Sequence, residues 1–186
     1  MKPASDRLFL GVALPRPARQ RLDDGIGEAL GAAPEARRIP PDNWHLTLRF
    51  LGATTPRQRT SLERSLESAT LPGRFEILIT GWGAFPRPAA ARVLWLGVRD
   101  PAGGLSALHD VAEAAARAAG FEGEDRPYSP HLTIARLRDP HDLRALLPSL
   151  PPITIDIVVD RLILFRSILG SGPPIYEPLR ELPLES

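Results

Sequence analysis

The sequence His-Leu-Thr followed by Leu or Ile occurs twice in this chain, and this repeat constrains the fold more than any other feature. The copies are His45-Leu46-Thr47-Leu48 and His131-Leu132-Thr133-Ile134, each preceded by a proline-bearing segment. Side chains of an extended strand alternate between its two faces, so the histidine and threonine share one face and the aliphatic residues the other. If approximate two-fold symmetry relates the strands, two imidazoles and two hydroxyls converge on one cleft.

A single His-x-Thr strand is usually no more than a solvated strand face. Here two of the chain's four histidines occupy equivalent positions of a repeat, which favours a function over chance. The other two, His109 and His141, fall in predicted helices and are interpreted as structural residues rather than ligands.

The composition indicates one sizeable core or two small lobes that share a sheet boundary, because 43% of the 186 residues are hydrophobic. No apolar run approaches the length of a membrane span, and the run at 8–14 is better explained as a first strand than as a signal peptide. The absence of cysteine excludes disulfides and thiolate metal sites. We therefore expect a cytoplasmic, monomeric protein without a membrane partner.

The formal net charge of +1 excludes the global basic field of tight, non-specific nucleic-acid binders. Apart from Lys2, all of the 23 lysine and arginine residues are arginines. The planar guanidinium suits phosphate recognition because it donates paired hydrogen bonds. A GC-rich genome would produce the same bias, and we favour that explanation for most of the arginines.

Periodicity and end signals predict the order β-α-β-α-β-β-α-β-α-β-β. Strands are expected at 8–14, 45–52, 75–80, 92–98, from 131, at 153–165 and at 175–182, and helices after Pro15, from Thr55, from Asp100 and from Asp139. No linker is long enough to separate domains, so residues 1–186 are expected to form one catalytic domain. The expected architecture is an α+β fold of two pseudo-symmetric lobes, with mostly antiparallel sheets around a central cleft and helices outside.

Four further predictions concern three short segments and one arginine. Residues 31–38, with their two adjacent arginines, are predicted as a solvated loop or ragged helix end. The Gly- and Pro-rich segment 81–88 is predicted as a loop whose aromatic residues cap the core. The β-branched stretch 153–165 is predicted as one long or bent strand. Arg49 has the strand parity of the first-motif histidine, which would place its guanidinium on the cleft face.

Two histidines across a cleft suit general acid-base catalysis, because imidazole titrates near neutral pH. One ring can accept a proton from a nucleophile while the other gives one to a leaving group, and the threonine hydroxyls can donate to phosphoryl oxygens as charge develops. This arrangement needs no metal, no cofactor and no covalent intermediate. The sequence lacks a P-loop, a His-Glu-x-x-His helix and a Gly-x-Ser-x-Gly elbow, which disfavours the corresponding enzyme classes.

The segment 41–52, Pro-Asp-Asn-Trp-His-Leu-Thr-Leu-Arg-Phe-Leu-Gly, closely resembles the first signature of the bacterial and archaeal RNA 2',3'-cyclic phosphodiesterases. These enzymes are also called 2'-5' RNA ligases and belong to the two-histidine phosphoesterase superfamily. The segment 126–136, Arg-Pro-Tyr-Ser-Pro-His-Leu-Thr-Ile-Ala-Arg, resembles the second signature. The likeness extends to residues 7–9, to 83–86 with 92–98 and to 167–176, and so covers nearly the whole chain.

The resemblance implies hydrolysis of a 2',3'-cyclic phosphate at the end of an RNA or nucleotide, leaving a 2'-phosphate. It implies that His45 is the proton donor and His131 the proton acceptor, and that Thr47 and Thr133 hold phosphate oxygens. Arg136 matches an arginine that the family places at the substrate phosphate. Its strand parity is opposite to that of His131, so this role requires a bulge or the end of the strand.

Two alternatives stay open. The same site could join a 2',3'-cyclic phosphate to a 5'-hydroxyl as a 2'-5' bond, because microscopic reversibility lets one site catalyse both directions. A non-catalytic RNA- or nucleotide-binding module is the alternative from another class. Intact histidines and threonines in both motifs disfavour that second alternative.

Overall fold

The computed structural model describes residues 6–27, 36–170 and 172–185. Within these ranges the helices are α1 (Arg16–Ile26), α2 (Pro56–Glu67) and α3 (Gly104–Ala118). The strands are β1 (Asp6–Ala13), β2 (Ala36–Arg38), β3 (His45–Thr54), β4 (Phe75–Phe85), β5 (Ala91–Arg99), β6 (His131–His141), β7 (Thr154–Val159), β8 (Arg161–Ile168) and β9 (Ile175–Pro183).

The strands form one curled sheet in the order β7-β4-β5-β6-β3-β1-β8-β9, with β2 added onto β6. Every described strand pairing is antiparallel. We call β1, β3, β8 and β9 lobe A, and β4, β5, β6 and β7 lobe B. The two motif strands, β3 and β6, are the inner edges of the lobes and pair only at Leu46 and Leu132. Because each of these residues follows a motif histidine, the join between the lobes lies at the repeat, and the bilobal α+β prediction is confirmed.

The helices cross between the lobes. Helix α1 follows β1 of lobe A but packs against β7 of lobe B, while α3 follows β5 of lobe B and packs against β3 of lobe A. Buried aliphatic side chains from both lobes and all three helices therefore form one continuous core. This exchange ties the lobes together more firmly than the short contact between β3 and β6 could alone.

Short-range signals explain where two of the helices begin. In α2, Thr55 accepts a hydrogen bond from the backbone N–H of Gln58, whose side chain accepts one from the Thr55 N–H, forming a capping box. The Asp100 carboxylate accepts bonds from the N–H groups of Gly104 and Leu105 at the start of α3. The helix start predicted at Thr55 is confirmed. Asp100 caps the third helix as predicted, but that helix begins at Gly104, after a turn. In α1 the sequence spacing of Leu22, Ile26 and Leu30 predicts one buried face; Leu22 and Ile26 are buried, and Leu30 lies outside the described residues.

Each motif strand contains a bulge one residue after its threonine. In β3, Thr47 and Arg49 oppose consecutive residues of β1, which leaves Leu48 as the extra residue. In β6, Thr133 and Ala135 oppose consecutive residues of β5, which leaves Ile134 as the extra residue. A bulge of this kind reverses the facing of the side chains that follow it, up to the next register shift.

Four predictions of secondary structure are wrong. Strand β4 continues through 81–85, because Gly81 takes a φ of +75° at a register shift and lets the strand pair onward with β5. Residues 36–38 form β2 because they pair with β6. Strand β6 runs on to His141, opposite Ala91, where a helix start was predicted, and only a short 3₁₀ turn follows.

The fourth error concerns 153–165, which is two strands rather than one. The first strand, β7, ends at Val159, and the second, β8, begins at Arg161. Strand β7 pairs with β4 in lobe B, while β8 pairs with β1 and β9 in lobe A. The segment thus connects opposite ends of the sheet. No helix among the described residues is long and apolar enough to span a membrane.

Candidate active site

A cleft of about 1040 Å³ lies between the lobes, where β3 and β6 meet. Its walls include all five residues that the sequence singled out: His45, Thr47, His131, Thr133 and Arg136. The twofold repeat therefore brings the two histidines and two threonines to one space, as the alternation of the strands predicts.

His45 is oriented by its own backbone neighbourhood and enclosed by aromatic rings. Its Nδ1 lies 2.8 Å from the Asn43 carbonyl oxygen. Since a carbonyl can only accept, Nδ1 carries a proton and Nε2 faces the cleft, 3.1 Å from Oγ1 of Thr47. The ring centroid lies 4.7 Å from that of Phe9 and 4.9 Å from that of Tyr176.

The pKa of His45 is lowered from 6.5 to about 4, chiefly because burial disfavours the charged ring. The bond to Asn43 opposes this effect, while the positive charges of His131 and Arg136 contribute to the lowering. At neutral pH, His45 of the ligand-free protein is therefore uncharged. An anion in the cleft would act in the opposite direction.

His131 uses the same backbone bond in a different setting. Its Nδ1 donates to the Ser129 carbonyl at 2.8 Å, so its Nε2 is also left for the cleft. Phe85 meets the ring edge-on at 5.0 Å between centroids, and Trp95 lies at 6.2 Å. His141 makes the same bond to its i−2 carbonyl, at 2.9 Å, yet is absent from the cleft wall. The bond thus fixes the orientation of a ring and does not identify a functional histidine.

Sequence reasoning missed the residues that support the two imidazoles. Trp95 can pack on Phe85 only because position 83 is glycine, since a Cβ there would lie 2.2 Å from the indole ring. In lobe A, Phe9 and Tyr176 come from different strands, so only the strand pairing brings them to His45. The glycines at 81 and 83 are the signal in the sequence for this close packing, but the Gly- and Pro-rich composition of 81–88 favours a loop.

The bulges decide which side chains after each motif face the cleft. Arg136 lines the cleft, and β6 contains the bulge that the sequence requires if this side chain is to face the cleft. The matching bulge in β3 turns Arg49 away, and the prediction that Arg49 faces the cleft is wrong. Its guanidinium is buried and donates to Glu113 at 2.6 Å and to the Phe50 carbonyl at 2.6 Å. Phe50 takes the equivalent cleft position in lobe A and is 43% exposed.

The cleft collects arginines although the whole chain is nearly neutral. Those that line it are Arg7, Arg37, Arg38, Arg92, Arg126 and Arg136. Glu124 is the one carboxylate residue in the described wall. The adjacent pair, Arg37 and Arg38, was predicted to lie in a solvated loop, and instead forms part of the wall.

The described residues include no group of three or more His, Cys, Asp and Glu side chains arranged to hold a metal ion. The cleft offers imidazole, hydroxyl and guanidinium groups instead. Independence from metals stays a prediction to be tested by experiment.

The chain matches the 2'-5' RNA ligase superfamily over residues 15–170. An RNA 2',3'-cyclic phosphodiesterase of Aeropyrum pernix is 34% identical over 150 residues, covering 78% of this chain and 85% of that protein. The enzyme of the same name from Escherichia coli K12 is 31% identical over 175 residues, covering 94% of both chains.

Solved structures agree with the sequence comparison. Escherichia coli LigT complexed with 3'-AMP superimposes with a TM-score of 0.82 at 28% identity, covering 98% of this chain and 100% of that one. The structure of TT0787 of Thermus thermophilus gives a TM-score of 0.78 at 28% identity, covering 96% and 97%. By sequence and by fold, this chain belongs to the 2'-5' RNA ligase superfamily.

Proposed function

We propose that this chain hydrolyses 2',3'-cyclic phosphates at RNA ends to 2'-phosphomonoesters, acting as one monomeric catalytic domain. The observation that carries the proposal is the convergence of both His-x-Thr motifs on one arginine-lined cleft. The relatives named RNA 2',3'-cyclic phosphodiesterase supply the substrate class. The substrate is an RNA or nucleotide with a cyclic phosphate end.

The proposed reaction uses one proton transfer in each lobe. Nε2 of His131 accepts a proton from water as its oxygen attacks phosphorus, and the bond between phosphorus and the 3'-oxygen breaks. Nε2 of His45 donates a proton to the departing 3'-oxygen, which leaves a 3'-hydroxyl and a 2'-phosphate. The hydroxyls of Thr47 and Thr133, with the guanidinium of Arg136, donate hydrogen bonds to the non-bridging oxygens as negative charge builds.

The donor role of His45 requires that substrate binding restore its proton. A negative charge about 4 Å from the ring contributes about 4 kcal/mol at an effective dielectric constant of about 20. That energy corresponds to about 3 pH units, which is enough to offset the effect of burial on this pKa. The phosphate thus creates the charged acid that its own ring opening needs.

Thr47 links the two states of His45. In the ligand-free protein its hydroxyl donates to the unprotonated Nε2. Once Nε2 carries a proton, the hydroxyl can turn and donate to a phosphate oxygen instead. The same rotation would free the donor nitrogen for the leaving oxygen.

A nucleoside 2',3'-cyclic phosphate tests the proposal. We expect ring opening to give only the 2'-phosphate, measured by phosphorus NMR or chromatography, and the rate to be unchanged by a metal chelator. A large loss of rate that added zinc or magnesium restores would contradict this mechanism. Absence of ring opening on this substrate and on a short RNA with the same cyclic phosphate end would favour the non-catalytic binding module.

Ligation is the second candidate, because the superfamily that the chain matches is named for 2'-5' RNA ligation. In that reaction a 5'-hydroxyl on RNA would take the place of water. Supplying an RNA with a 5'-hydroxyl end together with the cyclic phosphate, and separating the products by size, measures the balance between joining and hydrolysis.

A further inference from the structure

Arg37 and Arg136 face each other across neighbouring strands. They are Cα partners in the pairing of β2 with β6, and both side chains line the cleft. Directly opposite residues of an antiparallel pair lie on the same face with Cβ atoms about 5 Å apart, and like charges in that position destabilise the pairing. Among the described residues, neither guanidinium has a carboxylate within ion-pair distance. A bound anion would relieve this repulsion.

The cleft also carries more positive charge than one cyclic phosphate can neutralise. That group bears a single negative charge, which Arg136 and the protonated His45 already face. Arg7, Arg37, Arg92 and Arg126 add four guanidiniums that have no carboxylate partner in the described parts of the chain. Arg38, in contrast, is paired with Asp23. A substrate with more than one phosphate would use this surplus.

The two lobes do not share this surplus equally. In lobe A, the position equivalent to Arg136 is Phe50, whose ring lies 5.4 Å from the Arg7 guanidinium. The outer partner strand β2, which supplies Arg37, is added to β6 and has no described counterpart on β3. The paired cations Arg37 and Arg136 therefore lie on the β6 side of the cleft, without an equivalent pair on the β3 side.

We propose that Arg37, beside Arg136, binds the phosphodiester that precedes the cyclic phosphate, so that the site selects oligoribonucleotide ends over free nucleoside cyclic phosphates. The chain of the RNA then leaves the cleft over β2 and β6. The inference rests on the proposed function in that the terminal phosphate lies between His45 and His131.

Binding of reaction products tests this inference without turnover. The probes are a trinucleotide with a 2'-phosphate end and the matching nucleoside 2'-monophosphate. We expect Arg37→Ala to weaken trinucleotide binding about tenfold, as for loss of a charged hydrogen bond, and to leave mononucleotide binding unchanged. The slope of log affinity against log salt for the trinucleotide should fall in magnitude by about 0.7, as for one phosphate contact on a single strand. Arg37→Lys should recover part of the loss.

Arg57→Ala is the matched control, because Arg57 is exposed on α2, outside the cleft, and the change removes the same charge. Equal losses of trinucleotide affinity in the Arg37 and Arg57 variants would overturn the inference. An Arg37 variant that loses the same affinity for the trinucleotide and the mononucleotide would also overturn it. A protein that shows the expected binding differences but opens no cyclic phosphate would refute the proposed function and leave the phosphate subsite standing.

Discussion

The two motif histidines have the same sequence context and the same backbone bond, yet they lie in different surroundings. In lobe A, His45 contacts Phe9 and Tyr176, and its bond to Asn43 is partly buried. In lobe B, His131 meets Phe85 edge-on, and its bond to the Ser129 carbonyl is exposed. The repeat duplicates the histidine and its backbone bond, whereas the neighbouring strands decide which aromatic rings enclose each imidazole.

This difference gives a physical basis for unequal roles. A buried imidazole is charged only when an anion compensates for the lost hydration. In the proposed mechanism His45 would therefore hold a proton only when phosphate is bound, as a donor that acts with substrate present requires. The lobes differ again two residues beyond each threonine's bulge, where lobe A has Phe50 and lobe B has Arg136.

The largest effects are expected from removing the histidines. We expect His45→Ala and His131→Ala each to lower turnover about 10²- to 10⁴-fold, the usual contribution of a general acid or base. A substrate with sulfur in place of the 3'-oxygen separates the roles, because a thiolate leaves without a proton. His45→Ala should recover much of its rate on that substrate, whereas His131→Ala should not, since water would still lack its base.

The opposite pattern, in which only His131→Ala is rescued, would reverse the assignment of acid and base to the two lobes. Rescue of neither variant would argue against a division of labour between the histidines. His141→Ala, which removes a histidine with the same backbone bond outside the cleft, is the control for this series.

Somewhat smaller effects are expected from the threonines. Thr47→Val and Thr133→Val should each lower kcat about 10²- to 10³-fold, as for loss of an oxyanion-hole donor, with less effect on substrate binding. Thr47→Val should be the more damaging, because Thr47 also contacts Nε2 of its histidine, a bond that Thr133 does not make in the described contacts. Steady-state kinetics of both variants measure the difference. A raised KM with unchanged kcat would make the threonines plain binding groups.

The sequence predicted the part of the site that depends on local pattern. Alternation along each strand places His45 with Thr47 and His131 with Thr133, and no longer-range information is needed for that. The capping residue Thr55 likewise acts within one turn of helix. Arg136 lies between the two cases. Strand alternation shows that this side chain can face the cleft only if a bulge or a strand end precedes it, but the sequence does not show whether a bulge is present.

The rest depended on contacts between distant parts of the chain. Arg49 was misplaced because a bulge is a property of two strands in register, and the sequence of one strand does not reveal it. The sequence does not indicate that the strand predicted at 153–165 is divided at Asp160, because the division follows from β7 and β8 pairing with partners in different lobes. The strand through 81–85 was missed because pairing with β5 overrides a composition typical of loops.

The smallest effect expected in the comparison of the two lobes concerns stability and isolates the burial of His45. Because its pKa is about 4 in the folded protein and about 6.5 when unfolded, the unfolded state binds more protons between these values. The free energy of unfolding should therefore be highest above pH 6.5, fall as the pH drops towards 4, and receive no further contribution from this group below that. The loss amounts to at most about 3 kcal/mol, since one unit of difference in pKa corresponds to about 1.36 kcal/mol.

Denaturant unfolding of the wild type and His45→Gln at pH 7, 5.5 and 4 measures this loss. The free energy of unfolding of His45→Gln should lack this part of the decline with pH. His131→Gln, measured in parallel, is the control from lobe B, against which the contribution of lobe A is measured. Identical pH profiles for the wild type and His45→Gln would mean that His45 titrates as it does in the unfolded chain, and the electrostatic distinction between the lobes would fail.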